Sequence, residues 1–111
     1  MKFSESLKKN KDFRCVYGEG KSYANRYLVM YAMKNGLDRN RIGISVSKKV
    51  GNSVVRHRLT RLIRESYRLN EESFLNGLDI VVIARASVKG AGYEKVASAL
   101  MHLAGLHGIV K

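Results

Sequence analysis

The spacing of apolar residues predicts helices at both ends of the chain and strands between them. Residues Ser4–Tyr17 have helical character, and Gly18 and Gly20 follow as residues that end a helix. The stretch Arg26–Met33 is rich in β-forming residues and apolar on both faces, which predicts a strand. The final segment, YEKVASALMHLAGL, is amphipathic at helical spacing. Its apolar stripe is Val96, Leu100, Leu103 and Leu106.

Two more apolar segments predict a pair of strands joined by a helix. In RIGISVS, Ile42, Ile44 and Val46 fall on one face, and small or hydrophilic residues fall on the other. The second segment, LDIVVIARA, is almost continuously apolar, as expected in the interior of a sheet. One long helix lies between them, so the two strands can be parallel with that helix as the crossover. Before them, an Asn-Gly sequence within Lys34–Arg41 predicts a hairpin connection.

These elements are expected to form a single domain over residues 1–111. A chain of this length with 45% hydrophobic residues can fill one core, and a second domain would be too small to keep its own. The sequence contains no internal repeat and no low-complexity linker. The order of helix, strands, helix, strand and helix predicts an α+β sandwich.

The long middle helix is predicted to have one apolar face and one basic face. Gly51, Asn52 and Ser53 supply turn and N-cap residues, so this helix should begin near Ser53. A rotation of about 100° per residue separates the two kinds of side chain. The apolar side comprises Val55, Leu59, Leu62, Ile63, Ser66 and Leu69. The basic side comprises Arg56, His57, Arg61, Arg64 and Arg68, with Thr60 among them and Arg58 at the border beside Glu65.

Charge makes this basic face a candidate binding surface. The chain has 21 Lys and Arg against 9 Asp and Glu, and its net charge of +12 is of the kind usually relieved by a polyanion. A solvated face normally alternates signs, because like charges four residues apart repel one another. Arginine suits paired contacts with phosphate, and Lys48 and Lys49 precede the helix N-terminus, where free N–H groups also favour anions. We therefore predict a phosphate-backbone site here in preference to a solvated face.

An anionic membrane is the second partner that such a charge suggests, and segment lengths argue against it. Apolar runs such as Ile80–Ala84 are far shorter than the ~20 residues that cross a bilayer. The start of the chain lacks the apolar stretch of a signal peptide. The single cysteine, Cys15, excludes an internal disulfide and fits a reducing cytoplasm. It is predicted to be a small buried hydrophobe.

The sequence shows no set of catalytic residues for cleaving nucleic acid. The nine acids are scattered, and the neighbours Glu71 and Glu72 would point different ways on a helix. His102 and His107 lie about 140° apart around their helix, so they cannot easily share a site. His57 lies among arginines, which disfavour its protonation, so it is predicted to be a hydrogen-bonding contact. No cluster has zinc-ligand spacing, and no Walker-type loop appears.

Three stretches of the chain resemble the protein component of bacterial ribonuclease P. They are SVSKKVGNSVVRHRLTRLIRESY, LKKNKDFRCVYGEGKSYANRYLVMY and DIVVIAR, and the likeness covers roughly Leu7–Leu106. It implies an α+β two-layer sandwich in αβββαβα order, with a four-stranded mixed sheet. It also implies a left-handed βαβ crossover around the long basic helix, where general rules favour a right-handed one. His57 stands where the family prefers Asn and Thr60 where it usually has Lys, so about one phosphate contact is expected to be lost.

The resemblance implies the protein subunit of ribonuclease P, a ribonucleoprotein endonuclease that removes the 5′ leader from precursor tRNA. The RNA of this family carries the catalytic centre and its Mg²⁺ ions, so the protein is expected to have no active site, metal or cofactor of its own. Expected partners are one catalytic RNA per protein and precursor tRNA, in the cytoplasm, with no membrane and no required protein partner. The residues expected to contact the catalytic RNA are Lys48, Lys49, Arg56, His57, Arg58, Arg61, Arg64 and Arg68.

The resemblance also implies a cleft between the first helix and the open sheet face that holds the single-stranded leader. Phe13 and Tyr17, four residues apart, share one side of their helix. Tyr31 lies on the same strand face as Tyr27. These four rings are expected to stack on unpaired bases with little sequence preference, for about 1–3 kcal/mol each. Without the resemblance, an aromatic pair at this spacing is more often part of a core.

Two other functions stay open from the sequence. One is a ribosomal or other scaffold protein that binds folded RNA and takes no part in catalysis. The other is a DNA-binding protein without sequence preference. A scaffold protein does not need a stacking groove for single strands, so the aromatic residues of the cleft distinguish the first alternative from a ribonuclease P subunit.

Overall fold

All 111 residues are described by the structure, a computed structural model. Its elements in chain order are β1 (Ser4–Ser6), α1 (Asn10–Glu19), β2 (Lys21–Ala24), β3 (Leu28–Lys34), β4 (Asn40–Ser45), α2 (Ser53–Asn70), β5 (Leu78–Ala84) and α3 (Tyr93–His107). Short 3₁₀ turns lie at Glu71–Ser73 and Ala86–Val88. The strands form one mixed five-stranded sheet in the order β1-β4-β5-β3-β2. Helices α2 and α3 cover one face of the sheet, and α1 crosses the other.

The α+β class is confirmed, and from α1 onward the elements follow the predicted αβββαβα order, whereas the four-stranded sheet is wrong because a fifth strand, β1, precedes α1. The helix predicted for Ser4–Tyr17 starts too early, because Ser4–Ser6 forms an edge strand parallel to β4. The carboxylate of Glu71 accepts the backbone N–H groups of Lys2 and Phe3 at 2.8 and 3.1 Å. These contacts with a residue distant in sequence hold the first residues extended and outweigh their local helical preference.

The hairpin predicted for Lys34–Arg41 is also wrong, although its turn signal is genuine. Gly36 has a φ of 74°, which glycine adopts without strain, and the Asn35 N–H donates to the Gly77 carbonyl at 2.9 Å. The chain turns at this point, but β5 lies between β3 and β4. It is antiparallel to β3 and parallel to β4. Strand β5 is apolar on both faces, so a central position buries more of its surface than an edge would.

The end of α1 and the strand that follows it differ from the prediction in detail. Helix α1 includes Gly18 and ends at Glu19, and the Gly20 N–H donates to the Val16 carbonyl at 2.8 Å. Strand β2 then pairs antiparallel with β3, and all four of its residues are exposed. Because β2 buries no side chain, no apolar alternation marks it in the sequence.

The predicted parallel pair of strands is confirmed. Ile42 of β4 lies beside Ile80 of β5, and Ile44 lies beside Val82. Helix α2 is the crossover between these strands. The left-handed sense that the resemblance implies for this crossover stays a prediction.

The main core lies between the sheet and the two long helices. Its fully buried side chains include Met30, Ile42, Ile80, Leu59, Ile63, Tyr67, Leu100 and Leu103. The predicted stripe of α3 is wrong at Leu106, which is 47% exposed. Ala99 and Ala104 are buried instead, so the buried side of α3 comprises Val96, Ala99, Leu100, Leu103 and Ala104.

A buried polar cluster fixes the second half of α2 against the sheet. The hydroxyl of Tyr67 lies 2.6 Å from the Ser4 hydroxyl. The Asn40 amide nitrogen donates to the Tyr67 hydroxyl at 3.2 Å and to the Leu75 carbonyl at 2.8 Å. Its amide oxygen accepts the Leu78 N–H at 2.9 Å. These bonds connect β1, β4 and α2, so the outer side of α2 is presented at a defined angle.

Candidate nucleic-acid interface

Helix α2 begins at Ser53, as predicted, and its apolar side is rotated from the predicted one. The Asn52 side chain caps the helix by accepting a backbone N–H of the first turn at 3.0 Å. The buried residues of the helix are Leu59, Ile63, Ser66 and Tyr67. Their centre lies roughly 40° from the predicted centre of the apolar face. Leu69 is therefore exposed, whereas Arg56 and Thr60 are half-buried.

Most of the residues predicted to form the basic surface are exposed. They are Lys48, Lys49, His57, Arg58, Arg61, Arg64 and Arg68. Arg56 is the exception, and the prediction that it lies on the outer face is wrong. Its side chain lies at the border of the buried side of α2, and its Nε is buried without a hydrogen-bond partner.

Three of the exposed arginines form no ion pair within the chain. Arg58 donates to a backbone carbonyl in the loop before α3 at 2.9 Å, and Arg64 donates to a hydroxyl of β1 at 2.9 Å. Neither these two nor Arg61 forms an ion pair, and the three line a shallow depression of about 440 Å³. Arg68 differs, because it pairs with Glu65 and its hydrogen bond holds the pKa of that carboxyl below the usual range. Charge and geometry therefore favour anion binding around Arg58, Arg61 and Arg64.

Three of the predicted cleft residues meet where α1 crosses the sheet. The Phe13 and Tyr17 ring centres are 6.3 Å apart, and Tyr17 meets Tyr31 edge to face at 5.1 Å. Tyr17 is 39% exposed, while the other two rings are half-buried. Partial burial raises the pKa of the Tyr17 hydroxyl, so this side chain stays uncharged at neutral pH. Phe13 and Tyr17 line a groove, hereafter the aromatic groove, beside the second half of β4, and Tyr31 borders it through its contact with Tyr17.

The fourth predicted ring, Tyr27, does not lie in the aromatic groove. It precedes the first residue of β3, Leu28, and packs toward the helical side of the sheet. Asn25 forms a turn by accepting the N–H groups of Tyr27 and Leu28 at 3.1 and 3.0 Å. The alternation of faces applies only within a strand, so it could not place a residue in this turn.

Sequence reasoning missed three polar residues of the aromatic groove. The groove, of about 420 Å³, is lined by Phe13, Tyr17 and Ile44 together with Asn10, Arg14 and Ser45. Asn10 and Arg14 lie three residues before Phe13 and Tyr17, so helical spacing alone places them on the same side of α1. Ser45 belongs to the small, hydrophilic face of β4 that the sequence did indicate.

A partly buried ion pair lies on the same face of the sheet as Ser45, at the other end of β4. The Arg41 guanidinium donates two hydrogen bonds to the Asp79 carboxylate, at 2.8 and 2.6 Å, and lies 3.5 Å from a carboxylate oxygen of Asp12. Burial raises the pKa of Asp79, but hydrogen bonds from Arg41 and Asn35 lower it further, and its pKa lies below the usual range. Asp79 is therefore a charged structural residue.

We expect Asp79 to make the fold sensitive to acid. Because its folded pKa lies below the ordinary value near ~3.9, its stabilising effect is present above that pH and disappears as the pH falls through the folded value. Chemical unfolding measured between neutral and strongly acidic pH should show this loss, and Asp79→Asn should be less stable at neutral pH with a flatter acid limb. Parallel pH curves for the two proteins would contradict this role.

Gly43 allows α1 to approach the sheet. The Phe13 ring lies 2.6 Å from the position that a Cβ on Gly43 would occupy, so any larger residue displaces the ring. We expect Gly43→Val to lower the free energy of unfolding by about 1–3 kcal/mol. Gly105→Ala is the control, since a Cβ at Gly105 meets no atom within 4 Å. Equal stability of the two variants in urea unfolding would show that this contact is unimportant.

The remaining candidate residues are not part of one site. The prediction that Cys15 is buried is wrong, because it is exposed and its thiol donates to Glu19 at 3.4 Å. His107 lies 2.8 Å from the Met30 carbonyl, while His102 is exposed and contacts the Asn25 amide. No group of three His, Cys, Asp or Glu side chains is placed to hold a metal ion. None of the helices combines the length and apolar character that a membrane span requires.

A strongly basic α+β domain with exposed arginines along one helix that form no ion pair is of the nucleic-acid-binding class. The family model described as Ribonuclease P matches residues 1–106. The chain belongs to this family. A ribonuclease P protein component from Lachnoclostridium phytofermentans is 65% identical over 107 residues, which cover 96% of this chain and 92% of that protein.

Solved structures give the same result. The RNase P protein of Staphylococcus aureus is 37% identical and superposes with a TM-score of 0.88, covering 96% of this chain and 97% of that one. The RNase P protein of Thermotoga maritima is also 37% identical and superposes with a TM-score of 0.82, covering 89% and 94%. The five-stranded fold is therefore shared with structures of this family.

Proposed function

We propose that this chain is the protein subunit of a bacterial ribonuclease P, which removes the 5′ leader from precursor tRNA. The observation that carries the proposal is the row formed by Arg58, Arg61 and Arg64, which are exposed and form no ion pair within the chain. Membership of the family supplies the kind of polyanion that such a row fits. In this proposal the row contacts phosphates of the catalytic RNA, together with Lys48 and Lys49.

The other predicted contacts to the catalytic RNA differ in the charge and the hydrogen bonds that they can provide. Arg68 shares its charge with Glu65, so it contributes less than Arg61 or Arg64. His57 is exposed and offers one hydrogen bond. The Thr60 hydroxyl donates to the Arg56 carbonyl at 2.9 Å, so it provides no replacement for a lysine charge. Arg56 contacts RNA only through the part of its guanidinium that is not buried.

The protein in this proposal binds and positions RNA, while the RNA performs the cleavage. We assign the chain no cofactor and no catalytic residue, because in this proposal the catalytic centre belongs to the RNA. Mg²⁺ bound by the RNA would supply the activated water. We expect one protein per catalytic RNA in the cytoplasm, with precursor tRNA as substrate and no further protein required.

The aromatic groove is proposed to hold the single-stranded leader. Phe13, Tyr17 and Tyr31 offer faces and edges on which bases stack without sequence preference, and Arg14 provides a charge for the backbone. Ser45 and Asn10 add hydrogen-bonding groups that any nucleotide can use. Such tolerance suits a subunit that accepts leaders of many sequences.

Reconstitution tests this function against the scaffold alternative. Adding the protein to the catalytic RNA at low Mg²⁺ should increase the rate of leader removal from precursor tRNA. Arg39→Ala is a suitable control variant, because Arg39 already pairs with Glu5 and Asp38 away from α2. It should stimulate as well as the unchanged protein. Absence of any stimulation would favour a scaffold protein.

A further inference from the structure

A second depression lies on the opposite side of the sheet from the aromatic groove. It has a volume of about 390 Å³, which is enough for a small ligand. One wall is the turn before β3, and the other is a side of α3, the helix that covers this face of the sheet. Apart from Tyr27 and Ala99, every residue that lines the depression is polar or charged. The depression therefore suits a polar ligand.

Arg26 and Tyr27 form a stacking contact on the first wall. The central guanidinium carbon of Arg26 lies 5.4 Å from the centre of the Tyr27 ring, in a cation–π contact. Arg26 is exposed, and its guanidinium forms no ion pair within the chain. Unpaired RNA bases stack on guanidinium planes and on aromatic rings. The pair therefore offers a base both a stacking surface and a free charge.

Asn25 determines which nitrogen of His102 carries the proton. The Asn25 side-chain oxygen accepts the N–H groups of Tyr27 and Leu28 at 3.1 and 3.0 Å, so its NH₂ group faces α3. This NH₂ group donates to the Ala99 carbonyl at 2.9 Å and lies 3.2 Å from Nδ1 of His102, which must therefore accept. A neutral imidazole that accepts at Nδ1 carries its proton on Nε2. His102 thus presents an N–H donor on the edge of its ring away from Asn25.

The α3 wall adds two more donors and one acid. Lys95 and Ser98 are exposed, and Lys95 forms no ion pair. With Arg26 the depression has two free cations against the single carboxylate of Glu94. Glu94 lies in the first turn of α3, where the positive end of the helix dipole stabilises a carboxylate. The donors therefore favour an anion, and Glu94 opposes it.

The depression and the arginine row of α2 adjoin the same short segment of chain. Arg58, a member of the row, donates to the Ala91 carbonyl at 2.9 Å. Helix α3 begins two residues later, and Lys95 in its first turn lines the depression. The four residues from Ala91 to Lys95 span at most roughly 14 Å. An RNA that contacts Arg58 is therefore close to the depression, whereas a leader in the aromatic groove lies on the other side of the sheet.

We propose that this depression binds an unpaired nucleotide of the catalytic RNA. The base stacks on Arg26 and Tyr27, and its phosphate accepts hydrogen bonds from Lys95, Ser98 and His102. The inference rests on the proposed function, and it gives the catalytic RNA a second contact, separate from the arginine row. The row supplies charge for phosphates alone, whereas the depression requires a nucleotide that is free to leave its stack.

Footprinting of the catalytic RNA tests this contact one nucleotide at a time. The RNA would be probed with a reagent that modifies flexible nucleotides, alone and with unchanged protein or the double variant Arg26→Gln and Lys95→Gln. Unchanged protein should protect an unpaired nucleotide that becomes reactive again with the double variant, while the protection due to the arginine row is kept. Affinity for the RNA should fall roughly tenfold. Lys95→Gln removes a cation from a helix N-terminus, so it should not weaken the fold.

Two further variants separate this site from a general effect of charge. Glu94→Gln removes the opposing carboxylate and should raise affinity roughly two- to fivefold. The control Lys2→Gln with Lys111→Gln removes two exposed charges that line a different depression, and it should leave the footprint unchanged.

Three results would overturn the inference. They are an unchanged footprint with the variant Arg26→Gln and Lys95→Gln, an equal loss of affinity in the lysine control, and weaker binding by Glu94→Gln. If unchanged protein protected no nucleotide anywhere in the catalytic RNA, the proposed function itself would be refuted.

Discussion

Replacing Arg61 and Arg64 together by alanine is expected to weaken binding to the catalytic RNA by about 2–4 kcal/mol, or roughly 30- to 1000-fold. Both side chains are exposed, and neither forms an ion pair within the chain. Their charge is therefore available for phosphate, and the one contact that either makes with another element is the hydrogen bond from Arg64 to the Ser6 hydroxyl. Affinity for the RNA can be measured by filter binding, with circular dichroism to verify the fold.

Arg68→Ala is the matched control for this experiment. Arg68 belongs to the same exposed side of α2, but its charge is shared with Glu65. Its replacement should reduce affinity much less than the loss of Arg61 or Arg64. If Arg68→Ala weakened binding as much as the double variant, net charge and not the unpaired arginines would be responsible. If the double variant bound normally, α2 would not be the RNA-binding surface.

Removing two rings from the aromatic groove is expected to abolish most of the preference for precursor over mature tRNA. Tyr17→Ala with Tyr31→Leu deletes both members of the edge-to-face pair, while leucine keeps the buried part of the second position apolar. Two lost stacking contacts correspond to about 2–4 kcal/mol. The measured quantity is the ratio of the holoenzyme's affinity for precursor tRNA to its affinity for mature tRNA. A general weakening of assembly lowers both affinities and leaves this ratio unchanged.

Tyr23→Ala provides a control of equal exposure. Tyr23 is 40% exposed, against 39% for Tyr17, but it lies on β2 and contacts His107 of α3 at 4.7 Å between ring centres. It should not change the ratio of precursor to mature affinity. An unchanged ratio in the variant with Tyr17→Ala and Tyr31→Leu would show that the aromatic groove does not bind the leader.

The central part of the fold could be predicted because its signals are local. Strand β5 is nearly continuous in apolar residues, and the alternation of Ile42 and Ile44 identifies the buried face of β4. Asn52 and Ser53 mark the start of α2. The edges of the sheet could not be predicted in this way. Strand β1 depends on pairing with β4 and on bonds from the N–H groups before it to the Glu71 carboxylate, and β2 buries no side chain, so neither has a periodic pattern.

The candidate site could be predicted where the position of a side chain follows from its place within one helix or strand. The absence of acids from the outer side of α2 identified Arg61 and Arg64 correctly as exposed cations. The helical rotation of about 100° per residue placed Arg56 too far outward. Tyr67, and not Leu69, faces the core, and its hydroxyl kept it from being counted among the apolar residues. Tyr27 was misplaced because it lies in a turn. Contacts between elements decide such positions, and periodicity within one element cannot supply them.

The salt dependence of affinity between this chain and the catalytic RNA tests direct phosphate contact by the arginine row. The logarithm of the binding constant should fall linearly and steeply with the logarithm of salt concentration. In the Arg61→Ala and Arg64→Ala double variant, the slope should be shallower by a little under about one for each lost phosphate contact. A slope identical to that of the unchanged protein would contradict the claim that these arginines bind RNA phosphates.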